Sequence, residues 1–146
     1  MNTLPNTTVN LAEVERKVGK AKALLILDHP FFGVAVSRRP LQYGNEVPTA
    51  GMSATGQIML NPEWVEPLTV KNIMFLLAHE AMHYMLSHAL RRKHRDHRAW
   101  NVACDKVIND TLIDVETMRP RSCTTRTTRT WVLVVSAKMS VMLLAK

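Results

Sequence analysis

"FLLAHEAMHYML", residues 75–86, is an apolar run broken by three polar side chains, His79, Glu80 and His83. From Ile73 to Leu86 eleven of fourteen residues are hydrophobic, so a helix through this stretch is apolar nearly all round and belongs in a core. Unsatisfied polar groups buried there cost on the order of 1–3 kcal/mol each, and an unpaired charge costs more. A divalent cation resolves the conflict. His79 and His83 are four residues apart, one helical turn, so their ring nitrogens can converge on one ion. Glu80, rotated by about 100° from His79, stands beside it and can address a bound water. This is the HExxH pattern of zinc hydrolases, in which the glutamate is a base and not a ligand. The competing reading is two hydrogen-bonded core histidines with a structural glutamate. Three fixed letters do recur by chance, but here they are the sole polar groups of a buried helix.

Working outward, the start of this helix is marked by Thr69, an N-cap with Leu68 before it and Ile73 placed for a hydrophobic staple. The spacing predicts a helix from there to about Arg92. The basic cluster "RRKHRDHR", Arg91 to Arg98, reads as a solvated turn, and Asp96 as the cap of a further helix carrying Trp100, Ala103, Val107 and Ile108 through about Ile113. A short turn makes the two helices antiparallel. His83 lies nine residues before it and Asp105 nine after it, so both stand roughly 14 Å from the turn, on helices about 8–10 Å apart. Asp105 is therefore the expected third metal ligand. Asn109, one turn on and level with His79, is placed to support a ligand by a hydrogen bond. Asp110 is rotated by about 140° from Asp105 and Asp114 lies more than two turns beyond it, so both read as ordinary exposed carboxylates. His88 falls off the metal face of an unbroken helix, and "MLSHAL" offers no glycine at which to break it, so it is a weaker candidate for a ligand, a substrate-side group or a residue supporting the site. His29, His94 and His97 are expected in solvent and Tyr84 in the core. Tyr84, Tyr43 and His88 remain open as donors to a developing oxyanion.

Before this region, "NLAEVERKVGKAKALLILDHP" sets Leu11, Val14, Val18, Ala21 and Leu25 at helical spacing and ends at Pro30. "FFGVAVS" is expected as a strand, Arg39 to about Gly51 as a loop, and "GQIMLNP" as a second strand. The fold class expected is α+β.

The formal charge of +7 is unevenly spread. All twelve acidic residues lie at or before Glu116, with thirteen of the nineteen basic ones, and six basic groups follow with no acid. This pattern is weak support for a nucleic-acid partner, and "RRKHRDHR" lacks interleaved aromatics. No window is long and apolar enough for a membrane span, and "MNTLPNTTVN" lacks the layout of a signal peptide, so the expected location is cytoplasmic. Cys104 and Cys123 form neither a metal motif nor a disulfide framework.

"HPFFGVAVSRRP", "VPTAGMSATGQIMLNPEWV" and "LLAHEAMHYMLSHALRRKHRDHRAWNVACDKVINDTLID" resemble a family of bacterial and phage metallopeptidase-like proteins, in which an HExxH domain commonly precedes a von Willebrand factor A-like domain. The resemblance covers residues 10 to 116. It implies a zincin-like fold, Zn2+ held by His79, His83 and Asp105, Glu80 as general base, and a peptide or protein substrate. It also implies that "GQIMLNP" is the edge strand along which that peptide lies. Residues 1–116 are accordingly read as one zincin-like domain and 117–146 as an atypical basic tail that does not follow the family pattern. The alternative is an inactive, metal-stabilised scaffold that binds another protein in a bacterial or phage assembly.

Overall fold

The computed structural model describes residues 9–114. The expectations about the basic tail and Cys123 lie outside them. Helix α1 (Leu11–Asp28) begins at Asn10, whose side chain accepts from the Glu13 amide, and buries Val14, Val18, Ala21 and Leu25 completely. Burial of each Val or Leu contributes roughly 1.5–3 kcal/mol. Leu11, expected on the same stripe, is 44% exposed in the first turn. The helix stops because His29 precedes a proline and adopts φ −140°, ψ 69°.

Pro30 then opens a second helix, α2 (Pro30–Ser37), where the sequence reading expects a strand. Proline at the first helical position lacks only an amide that no helix would use. The helix buries Phe32, Gly33 and Val36, at spacings of one and three. Gly33 explains how closely α2 packs on α1: a Cβ there would come within 2.5 Å of the Ile26 Cα. His29, expected in solvent, is buried at this junction.

Strands β1 (Leu41–Tyr43), β2 (Ala50–Met52) and β3 (Ile58–Leu60) form one sheet in the order β1-β3-β2. β1 runs parallel to β3 and β2 antiparallel to it, with Leu41 opposite Ile58 and Gly51 opposite Met59. β1 and β2 lie in the stretch expected as loop. β3 is the expected strand, but it is central and paired on both sides, so the expectation that it forms the edge is wrong; among the described residues β2 and β1 are the edges. The β2–β3 turn closes with a Gly56 N–H to Ser53 carbonyl bond of 3.0 Å and places Gly56 at φ +88°, a conformation that suits glycine.

After the short helix α3 (Pro62–Val65), helix α4 (Val70–Met85) is capped as expected by the Thr69 hydroxyl, which accepts from the Asn72 amide at 3.2 Å. Every residue from Ile73 to Met82 is buried. α4 does not continue to Arg92. Ser87 takes the left-handed conformation, φ 53° and ψ 39°, and a separate turn of helix, α5 (His88–Arg91), begins in a new direction. Asp96 caps α6 (His97–Asp114) through a 2.8 Å bond from the Ala99 amide. The buried stripe of α6 is Cys104, Asp105, Ile108, Asn109 and Leu112, while Ala103 and Val107 face outward. Counting only apolar residues misplaces that stripe by about one position. The whole is an α+β arrangement of the zincin-like kind, with the motif helix flanked by further helices and a small sheet.

Candidate metal centre

α4 and α6 bring His79, His83 and Asp105 together. His83 Nε2 lies 2.9 Å from Asp105 Oδ1, His79 Nε2 lies 3.4 Å from the same oxygen, and the two Nε2 atoms are 3.1 Å apart. His79 and Asp105 are fully buried and His83 nearly so.

The other end of each group is engaged. His79 Nδ1 is 2.9 Å from Asn109 Oδ1, an atom that can only accept, so Nδ1 carries the proton and Nε2 a lone pair. His83 Nδ1 meets His88 Nδ1 at 3.1 Å. Burial, with His83 and Arg91 nearby, lowers the His88 pKa to about 4, so at neutral pH it is uncharged and can accept from His83. Asn101 donates to Asp105 Oδ2 at 3.2 Å. With both rings neutral, three lone-pair atoms therefore face one another, and Asp105 Oδ1 receives no directed hydrogen bond among the described residues despite its two short contacts.

Such a triangle is repulsive unless positive charge sits in it. A tetrahedral zinc with ligands at about 2.0–2.1 Å separates them by roughly 3.3 Å, and the observed separations of 2.9–3.4 Å match that. The donor set and the spacing fit a divalent ion. The electrostatics agree: burial alone would lower the His79 pKa, but Asp105, Glu80 and Asn109 outweigh it and hold it above the ordinary histidine value. Burial likewise works to raise the Asp105 pKa, and the two imidazoles override it and hold it low.

Glu80 is wholly buried next to this cluster, and neither carboxylate oxygen has a hydrogen-bond partner among the described residues. Burial raises its pKa. It stands in the wall of a cleft of about 1110 Å³ that also reaches His83, His88, Tyr84 and the strand β2.

His88 is the feature that the sequence reading placed least well. The break at Ser87 swings its ring against His83 and edge-on to Trp100, and the Trp100 Nε1–H donates to the His88 carbonyl at 2.8 Å. No glycine signals this, because serine carries the left-handed residue. Asn101, one turn before Asp105, was readable from its spacing. Tyr84, expected in the core, is 39% exposed on the cleft, whereas Tyr43 is on β1, the far edge strand. His94, His97 and Asp110 are exposed as expected. Cys104 is a buried free thiol whose pKa burial raises.

The fold and this cluster define a metal-binding domain with an HExxH helix, of the kind found in metal-dependent hydrolases. The chain belongs to the family whose model is described as "Putative metallopeptidase domain", which matches residues 13–139. The matched interval extends past Glu116, where the sequence reading closes the domain. No curated protein and no solved structure matches the chain significantly. Among the described residues no helix is long and apolar enough to cross a membrane.

Proposed function

We propose that the protein is a zinc-dependent metallopeptidase in which His79, His83 and Asp105 hold the ion and Glu80 is the general base. Two imidazoles with one carboxylate favour zinc over magnesium or calcium, which prefer all-oxygen sites. When bound, such an ion lowers the pKa of a water towards 7 and polarises a carbonyl. Glu80 takes the proton of the attacking water and delivers it to the leaving nitrogen. Its buried setting raises its pKa, so the protonated form midway through the cycle is less costly than for a solvated carboxylate. Asn109 and His88 orient the two rings through their Nδ1 atoms. An extended peptide would lie along β2, which pairs with β3 on one side and borders the cleft.

The observation that carries this reading is the Glu80 carboxylate, which has no hydrogen-bond partner among the described residues and stands beside three convergent ligand atoms, since a purely structural metal has no use for a base there. The test is metal analysis combined with cleavage of a broad peptide library. We expect about one zinc per chain, and Glu80→Gln should keep the zinc while turnover falls about 10²- to 10⁴-fold. Undiminished cleavage by that variant would remove Glu80 from the mechanism.

A further inference from the structure

Helix α2 is apolar on two faces. Phe32, Gly33 and Val36 enter the core, and this leaves Phe31 and Val34 66% and 50% exposed along the wall of the cleft. Leu90 of α5, 77% exposed, lines the same cleft. Single exposed apolar residues are ordinary, but three large ones bordering one concavity mark a surface kept open for a ligand.

Charge adds a second constraint. The stripe of α2 that carries Phe31 and Val34 runs on to Arg38 and Arg39, and Arg92 joins them in the cleft wall, where Glu80 is the only carboxylate among the described lining residues. Arg39 is held in place. Its Cζ lies 4.2 Å from the centroid of the Tyr84 ring, and both side chains press on the Gly56 turn so closely that a Cβ there would come within 2.6 Å of Arg39 Nη1 and 2.7 Å of Tyr84 Cε2. Tyr84 is one helical turn beyond Glu80 on α4. Among the described residues Arg39 has no carboxylate partner. A guanidinium ordered by stacking, half-buried and without a carboxylate partner among the described residues, is preorganised to take a carboxylate in bidentate fashion.

We propose that the cleft selects a peptide bearing a carboxylate and a bulky apolar side chain, with Arg39 on Tyr84 receiving the carboxylate and Phe31, Val34 and Leu90 enclosing the apolar group. This rests on the reading of the cleft as the substrate site of a peptidase. The carboxylate belongs to a glutamate or aspartate of the peptide or to its C-terminus.

The experiment measures binding, so it is independent of turnover. Zinc-loaded Glu80→Gln protein is titrated into fluorescein-labelled Gly-Ser peptides carrying one leucine and a glutamate at successive positions after it. Glutamine counterparts and peptides with a free or amidated C-terminus complete the set. At least one acidic peptide should bind about 10-fold or more tightly than its neutral partner, and the ratio should fall to about 1 in Arg39→Gln. An advantage that follows the free C-terminus instead of the glutamate identifies the terminal carboxylate as the source. Val34→Ser should weaken the leucine peptides against glycine controls by several-fold. Equal affinity of acidic and neutral peptides for the unmodified cleft overturns the proposal, as does a preference that survives in Arg39→Gln. Should Arg39→Gln fail to fold, Arg39→Lys serves: it keeps the charge without the planar fork, and the preference should drop without vanishing. Cleavage of the same peptides by unmodified protein reads the peptidase assignment separately, so a peptide that binds selectively and is not cut refutes that assignment alone.

Discussion

The two helix pairs of this domain are held together by opposite means. α1 and α2 meet through apolar side chains and a glycine that lets backbone touch backbone at Ile26. α4 and α6 meet, at their centre, through His79 with Asn109 and His83 with Asp105. The first contact is complete in itself. The second places three ligand atoms within 3.4 Å of one another, with a buried carboxylate beside them, an arrangement that attracts positive charge. Close packing of apolar groups therefore accounts for the first contact, while the second carries a group of side chains able to coordinate an ion.

Removing the metal should separate the halves most. At a zinc concentration about 1,000-fold above its dissociation constant, binding stabilises the folded state by about 4 kcal/mol, and a chelator should withdraw this from α4 and α6 first. Hydrogen exchange with and without chelator reads it: protection should fall in α4 and α6 and hold in α1 and α2. Uniform loss would mean that the two pairs are one cooperative unit. Protons compete for the same nitrogens. The His79 pKa is raised, so protonation begins above the ordinary value of 6.5 and zinc affinity should decline as pH falls through that region. The metal-free protein has the opposite sign at this residue: a raised folded pKa gives stability that is full below 6.5 and lost as pH rises through the folded value. Zinc affinity that stays flat from pH 8 to 5 would contradict imidazole ligation.

The converse perturbation is Gly33→Ala. Its methyl group would meet the Ile26 backbone, which cannot move aside as a flexible side chain would, and overpacking of this kind costs about 1–3 kcal/mol. Thermal unfolding should show the same loss with and without chelator, whereas zinc content should be unchanged. A loss that depends on metal would show that strain crosses from one helix pair to the other.

What could be read from the sequence divides along the same line. In α4 the conflict between an apolar helix and three polar residues was visible because each residue violates the local pattern, and hairpin arithmetic placed Asp105 level with His83. α1 was readable from its stripe, and Thr69 and Asp96 from capping chemistry. "FFGVAVS" was not, because seven residues apolar on both faces carry no period; what decides is Pro30 at the first helical position and the approach of Gly33 to α1, which is tertiary information. β1 and β2, three residues each, are too short to alternate visibly, and their pairing with β3 is non-local. On α6 the inward stripe contains Asp105 and Asn109, so its apolar pattern alone points to the wrong face. Tyr84 and His29 exchanged places between core and surface for a similar reason: stacking on Arg39 and burial at the α1–α2 junction are contacts with distant segments.

The most local effect expected concerns His88, the residue that joins the candidate metal ligands to the turn after α4. Its folded pKa of about 4 lies below its ordinary value of 6.5, the reverse of the His79 shift. For a histidine depressed in this way the unfolded chain takes up the proton first, so stability falls as pH drops from 6.5 to about 4 and levels off below. His88→Asn keeps an acceptor for His83 Nδ1 and cannot titrate. In metal-free protein, where zinc release contributes nothing, the variant should therefore lose less stability than the unmodified chain across that acid window, and the two curves should run parallel above pH 7. Thermal unfolding against pH measures the difference. Superimposed acid limbs would mean that the ring is protonated inside the fold, and a protonated His88 could not accept from His83 on that nitrogen. His83 would then lose the partner that keeps its proton on Nδ1, and the contrast between the two helix pairs would rest on Asn109 and Asp105 alone.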